Sequence, residues 1–165
     1  MMKSVTVGAE ATESTINVSS LVVPAMRNVQ TTLKKKGVGL GQRLKFLAPM
    51  HLVDFQIDSP RKVSLDYVLL KPNDSGIDPN TGLVYTNMFD VQLDALFFAF
   101  EALNFRSLRV IVIETGWPSK RGLKEPATTP DNAATYNGKL VRHVIRNTGT
   151  PSRPGQEIDT YILPS

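Results

Sequence analysis

The sequence predicts an α/β fold built on a parallel sheet, and three observations carry that expectation. Val110-Ile-Val-Ile113 sets four β-branched apolar residues in a row, the pattern of a strand covered on both faces. Apolar residues at helical spacing precede this run over about 88–104 and follow it over about 129–146. Strands alternating with helices of that length imply βα units and parallel pairing. The run stops at a carboxylate, Glu114, and Gly116 and Pro118 then break the chain around an exposed-looking Trp117. A buried strand that delivers an acid at its C-terminal end, beside an aromatic side chain, is how a (β/α) barrel enzyme presents its chemistry. The plainer alternative is a strand-end glutamate that caps the next element or pairs with a lysine.

From the N-terminus, residues 4–8 read as a short strand with Glu10 directly after it. A loop rich in Thr and Ser leads to a helix over about 21–36, with Ala25, Val29 and Leu33 as its stripe and Gly37 as its stop. Residues 43–48 read as a second strand, ended by Pro49. The segment 50–63 fits no pattern, and 63–70 suits either a strand or a short helix. Asp78-Pro-Asn-Thr-Gly82 is a turn in which proline presets one dihedral and glycine accepts positive φ. Asn87 stands at the N-cap of helix 88–104, with Asp90 in the first turn, where an anion is favoured. Phe89, Leu93, Leu96, Phe97, Phe100 and Leu103 make its buried stripe. After strand 109–113 and a long loop, Thr129 caps a helix with Pro130 in the first position and Leu140, Val141, Val144 and Ile145 as its apolar residues. Residues 157–163 read as a final strand.

Composition narrows the function. At 165 residues, 41% hydrophobic and 21% charged, the chain reads as a soluble globular domain. A complete eight-fold barrel takes ~250 residues, so the expectation is a single incomplete domain over 1–165. The net charge of +4 is spread along the chain. The Lys34-Lys-Lys36 cluster ends a predicted helix, where cations complement the dipole. Without interleaved aromatics it does not read as a nucleic-acid patch. The absence of cysteine excludes disulfides and thiolate metal sites. His51 and His143 are too isolated to suggest a metal, and no cofactor is expected. No run of ~18 apolar residues is present to span a membrane, and the first residues lack the apolar core of a signal peptide.

Beyond these patterns, Ile111-Val-Ile-Glu-Thr-Gly-Trp-Pro-Ser119 resembles the signature of glycoside hydrolase family 17, the plant-type endo-1,3-β-glucanases. Thr129-Pro-Asp-Asn-Ala-Ala-Thr-Tyr-Asn137 is similar to the family's next helix entry. Asp78-Pro-Asn-Thr-Gly82 and Tyr85-Thr-Asn-Met-Phe-Asp90 resemble the loop and helix start before the signature strand. Gly149-Thr-Pro151 and Ile158-Asp-Thr-Tyr161 resemble the approach to the last barrel strand. The resemblance implies a retaining hydrolase of β-1,3-glucan, with that polysaccharide as partner, Glu114 as nucleophile and an extracellular or cell-wall setting.

A retaining glycosidase needs two acids, ~5–5.5 Å apart, across the scissile bond. The family's second acid follows an earlier strand in a pattern like Val-Gly-Asn-Glu. Val7-Gly-Ala-Glu10 resembles it, which makes Glu10 the implied acid/base. Ala9 stands where the family carries an amide beside the substrate's 2-hydroxyl, and a methyl group cannot replace that hydrogen bond. Trp117 suits either a sugar-stacking face or a place in the core, and Lys120 follows it as a second candidate for substrate contact. The family's three opening strands have no counterpart before Val5. The groove tyrosines have none between Ala48 and Val63, and the final acidic loop has none after Tyr161. The expectation is therefore a partial (β/α) TIM barrel with several units missing. Glu10 and Glu114 should lie at one end of its sheet, and hydrolysis should be weak or undetectable. The alternative is a non-catalytic relic or glucan-binding fragment of the family.

Overall fold

A computed structural model of the chain describes residues 31, 45–49, 63–73, 75–102, 104, 105, 109–120 and 127–162. Strand β1 (Lys45–Pro49) is followed by a short helix α1 (Leu65–Val68) and a hairpin of β2 (Gly76–Ile77) and β3 (Val84–Tyr85). Helix α2 (Met88–Ala102) leads into strand β4 (Arg109–Thr115), and helix α3 (Pro130–Ile145) follows. A second hairpin, β5 (Gly149–Thr150) and β6 (Arg153–Pro154), precedes strand β7 (Asp159–Ile162). β1, β4 and β7 form one parallel sheet with β4 in the centre. These are the strands expected near 43–48, 109–113 and 157–163. The strand expected at 4–8, Glu10 and all of the helix expected at 21–36 except Thr31, which is helical, lie outside the described residues. The two hairpins are antiparallel, and residues 63–70 resolve into the helix α1.

The helices form where their ends are satisfied. Asn87 caps α2, its Oδ1 accepting from the Asp90 amide at 2.9 Å, and Thr129 caps α3, its hydroxyl accepting from the Asn132 amide at 3.2 Å. In the first hairpin, Asp78 accepts from the Asn80 amide and the Thr81 hydroxyl. Gly82 then turns the chain at φ +71°, a conformation that costs a side-chain-bearing residue energy. Val110 and Val112 of β4 join Phe89, Leu93, Phe97 and Phe100 of α2 and Tyr136 and Leu140 of α3 in one buried cluster. Each large apolar side chain buried there contributes about 1.5–3 kcal/mol. Of the stripe expected on α2, Phe89, Leu93, Phe97 and Phe100 are buried, Leu96 is partly buried against them and Leu103 lies outside the described residues, whereas α3 differs. Ala133, Tyr136 and Leu140 face inward, with Val144 packed against them, whereas Val141 and Ile145 are exposed. The residues at spacings of three and four define the inner face, and Val141 and Ile145 each lie one step of about 100° off it.

Two acids on α2 tie the helix layer together. Asp90 accepts from the Asn87 side-chain amide and lies 2.8 Å from Nε2 of His143 on α3. Asp94, 1% exposed, accepts from the Tyr85 hydroxyl and from both the amide and the hydroxyl of Ser152. One carboxylate thereby fastens both hairpins to α2.

Replacing Asp94 with Ala strands three donors, and the expected cost is about 3 kcal/mol in urea unfolding. Asp94→Asn, which keeps an acceptor, should cost less. Burial and the bond to Asp94 raise the pKa of the Tyr85 hydroxyl, and burial raises that of Tyr136. In the unfolded chain both ionise near pH 10. Above that pH the unfolded state therefore binds fewer protons than the folded one, and stability falls as pH rises. Unfolding midpoints measured at pH 8 and at about pH 10.5 should show this loss, with a smaller loss in Tyr85→Phe.

Candidate functional site

The C-terminal end of β4 departs from regular strand geometry. Between Val112 and Glu114 the strand advances two residues while β1 advances one, from Ala48 to Pro49. Between Val112 and Thr115 it advances three while β7 advances two, from Thr160 to Ile162. Both neighbours therefore find the same extra residue in β4, which is a β-bulge at Ile113–Glu114. Burial agrees. Val110 and Val112 belong to the cluster beneath the helices, whereas Ile111 is buried outside that cluster and Ile113 is half-buried. Regular alternation would put Thr115 with Ile111 and Ile113. Instead its hydroxyl lies 2.9 Å from the Tyr136 hydroxyl of α3, in the buried layer. The extra residue absorbs the change of face, so Glu114 shares the half-buried face of Ile113 rather than entering the core.

The loop after the bulge is held on the helix side. The Trp117 amide donates to Oδ1 of Asn137 at 3.3 Å, and its indole N–H donates to the Ala127 carbonyl at 2.9 Å. Its ring meets Tyr136 at 5.7 Å between centroids. At 3% exposure the indole is a core residue. Of the two roles the sequence left open, a sugar-stacking face and a place in the core, this burial favours the second. Once the loop bends toward α3, the ring is the largest apolar surface available to fill the gap over Tyr136, and its one polar atom finds a carbonyl there. Lys120 is exposed at the far end of the same loop. Glu10 lies outside the described residues, so its approach to Glu114 has no measured distance.

Tyr136 and Thr115 were not singled out from the sequence. Tyr136 could have been found by its i+3 spacing from Ala133 and i−4 spacing from Leu140, which mark the inner face of α3. A buried phenol on that face needs a partner, and Thr115 supplies it. No single-residue signal announces the bulge, because it is a property of the register between strands. Among the described residues, no three His, Asp or Glu side chains gather where a metal ion could be held. No described helix is long and apolar enough to cross a membrane.

Residues 41–164 match the sequence profile described as Glycosyl hydrolases family 17. Among curated proteins, the chain is similar to "Glucan endo-1,3-beta-glucosidase 13" of Arabidopsis thaliana, 45% identical over 203 residues, covering 96% of this chain and 40% of the relative. It is similar also to "Glucan endo-1,3-beta-glucosidase 12" of the same plant, 42% identical, covering 97% of this chain and 38% of the relative. The chain thus spans about two fifths of the length of these relatives. Among solved structures it resembles CJP38, a β-1,3-glucanase and allergen of Cryptomeria japonica pollen, with a TM-score of 0.65 and 30% identity over 88% of this chain and 56% of that one. A family match that takes in every strand of the parallel sheet, with a relative 45% identical across nearly the whole chain, makes this protein a member of glycosyl hydrolases family 17.

Proposed function

We propose that the chain derives from an endo-acting hydrolase of β-1,3-glucan and that Glu114 is its nucleophile. The observation that carries this reading is the bulge, which takes the one carboxylate at the end of the central strand out of the core and onto the sheet's half-buried face. Catalytic groups of (β/α) barrels project from the C-terminal ends of such strands, and β1, β4 and β7 with their helices are read as consecutive units of that barrel. In a retaining mechanism the Glu114 carboxylate attacks the anomeric carbon as a second acid protonates the departing oxygen, and water then releases the glycosyl group. By resemblance the second acid is Glu10. Lys120 stands as a candidate substrate contact. Trp117 acts from the core, holding the loop that follows the nucleophile.

A second reading, a glucan-binding relic without turnover, is favoured by one observation. Ala9 stands where the family carries an amide beside the acid. Positioning a substrate can account for ~7–11 kcal/mol of a barrier, far more than one retained nucleophile can replace. Hydrolysis by the 165-residue chain should therefore fall well below the ordinary enzyme range of about 1–10³ s⁻¹.

Reducing-end assays on laminarin test the assignment. Residual turnover should disappear in Glu114→Gln. In Glu10→Gln it should be lost on laminarin but partly kept on an aryl glycoside whose leaving group needs no proton. Turnover that survives Glu114→Gln would refute the nucleophile. No turnover by the unaltered chain, with laminarin still retained, would establish the relic. Tyr136→Phe removes the bond to Thr115, and any residual kcat should drop about tenfold with KM little changed. An effect on KM alone would refute a positioning role.

A further inference from the structure

A second concave site lies on the helix side of the sheet, away from Glu114. It is a cleft of about 370 Å³ between the segment after α1, the N-terminus of α2 and the C-terminal half of α3. That volume is within the roughly 300–1,000 Å³ range of small-molecule sites. Lys139, Arg142, His143 and Arg146 line it from α3, at positions i, i+3, i+4 and i+7 of one helical face. Lys71 lines it from a separate segment, and Thr86 and Asn87 at the start of α2 complete the wall. Among the described residues, no acidic side chain lines the cleft.

Two described acids adjoin the cleft and pair with residues of its walls. Asp90 is held by Asn87 and His143. Asp66 meets Lys71 at 3.3 Å, but at 57% exposure its carboxylate is open to water and easily outcompeted. Among the described residues, Lys139, Arg142 and Arg146 form no ion pair. Basic side chains near the end of α3 would by themselves only complement that helix's dipole. That explanation does not account for Lys71, which reaches the same cleft from a different part of the chain. Cations converging from separate elements on one cavity, in excess over the described acids that adjoin it, are the arrangement that holds an oxyanion.

We infer that this cleft binds a tetrahedral oxyanion, a phosphate or sulfate, either free or as an ester on a sugar. Arg142 and Arg146, one helical turn apart, supply planar donors to its oxygens, and Lys71 and Lys139 supply point charges from the flanks. The proposed hydrolysis at Glu114 calls on none of the residues that line this cleft, so the inference does not depend on it.

Isothermal titration of the full chain with inorganic phosphate, glucose 6-phosphate and glucose at low ionic strength tests the inference. Saturable one-to-one binding is expected for both anions and none for glucose. Tighter binding of the ester would assign the ligand as a sugar phosphate, and equal affinity would assign the free ion. Arg142→Ala with Arg146→Ala should weaken phosphate binding at least about tenfold, with far-UV circular dichroism reporting an intact fold. Lys139→Gln should weaken it several-fold without disturbing either arginine. Lys120→Ala, which removes one charge outside the cleft, should change affinity less than about twofold. Absence of saturable binding, or an equal loss in Lys120→Ala, would overturn the site and leave only diffuse positive charge.

Discussion

Beyond Val112, β4 spends one residue more than β1 or β7 over the same paired stretch, and the candidate site depends on that mismatch. In a regular strand Glu114 would follow Val110 and Val112 into the apolar layer beneath the helices. An unpaired carboxylate there would cost several kcal/mol or would take up a proton. The extra residue removes the conflict and returns Thr115 to the buried side, where Tyr136 receives it. The loop beyond is then secured to α3 by Trp117 and Asn137. The arrangement links a local irregularity, a buried hydrogen bond and an indole in the core to the presentation of a single acid.

The frame around that strand rests on buried polar contacts as much as on apolar packing. Asp90 joins the N-terminus of α2 to α3, and Asp94 joins α2 to both hairpins. The two residues are one helical turn apart, so a single edge of α2 organises everything packed beside it. Such buried carboxylates stabilise only because their lone pairs are matched by donors. Here the donors come from elements far apart in sequence, Ser152 lying 58 residues from Asp94. The same edge pairs Asp90 with His143 alone, and among the described residues Lys139, Arg142 and Arg146 on that side of α3 form no ion pair. The basic cleft thus follows from the way the acids are used.

Much of the fold was legible in the sequence. The β-branched run at Val110 declares a doubly covered strand, the Phe and Leu spacing after Asn87 declares α2, and Thr129-Pro130 declares the start of α3. Each is a local pattern with a local physical cause. What escaped is set between elements. The hairpins at 76–85 and 149–154 use strands of two residues each, too short for any periodicity. The outward turn of Val141 and Ile145 depends on where α3 meets the sheet. Trp117 beside Gly116 and Pro118 looks exposed by composition, yet the loop folds back over Tyr136 and buries it. For the site, the strand and loop motifs placed Glu114 at the end of β4, while its turn to the half-buried face depends on register with β1 and β7, which no single segment encodes.

The central claim is that the bulge puts Ile113 and Glu114 on the half-buried face together and Thr115 beneath the helices. The sequence contains no cysteine, so single substitutions Val112→Cys, Ile113→Cys, Glu114→Cys and Thr115→Cys can each be probed with a water-soluble thiol reagent under native conditions. The account predicts that positions 113 and 114 react readily and that 112 and 115 react only on unfolding. Alternating reactivity, with 113 and 115 open and 114 protected, would mean that β4 is regular and that Glu114 points into the core.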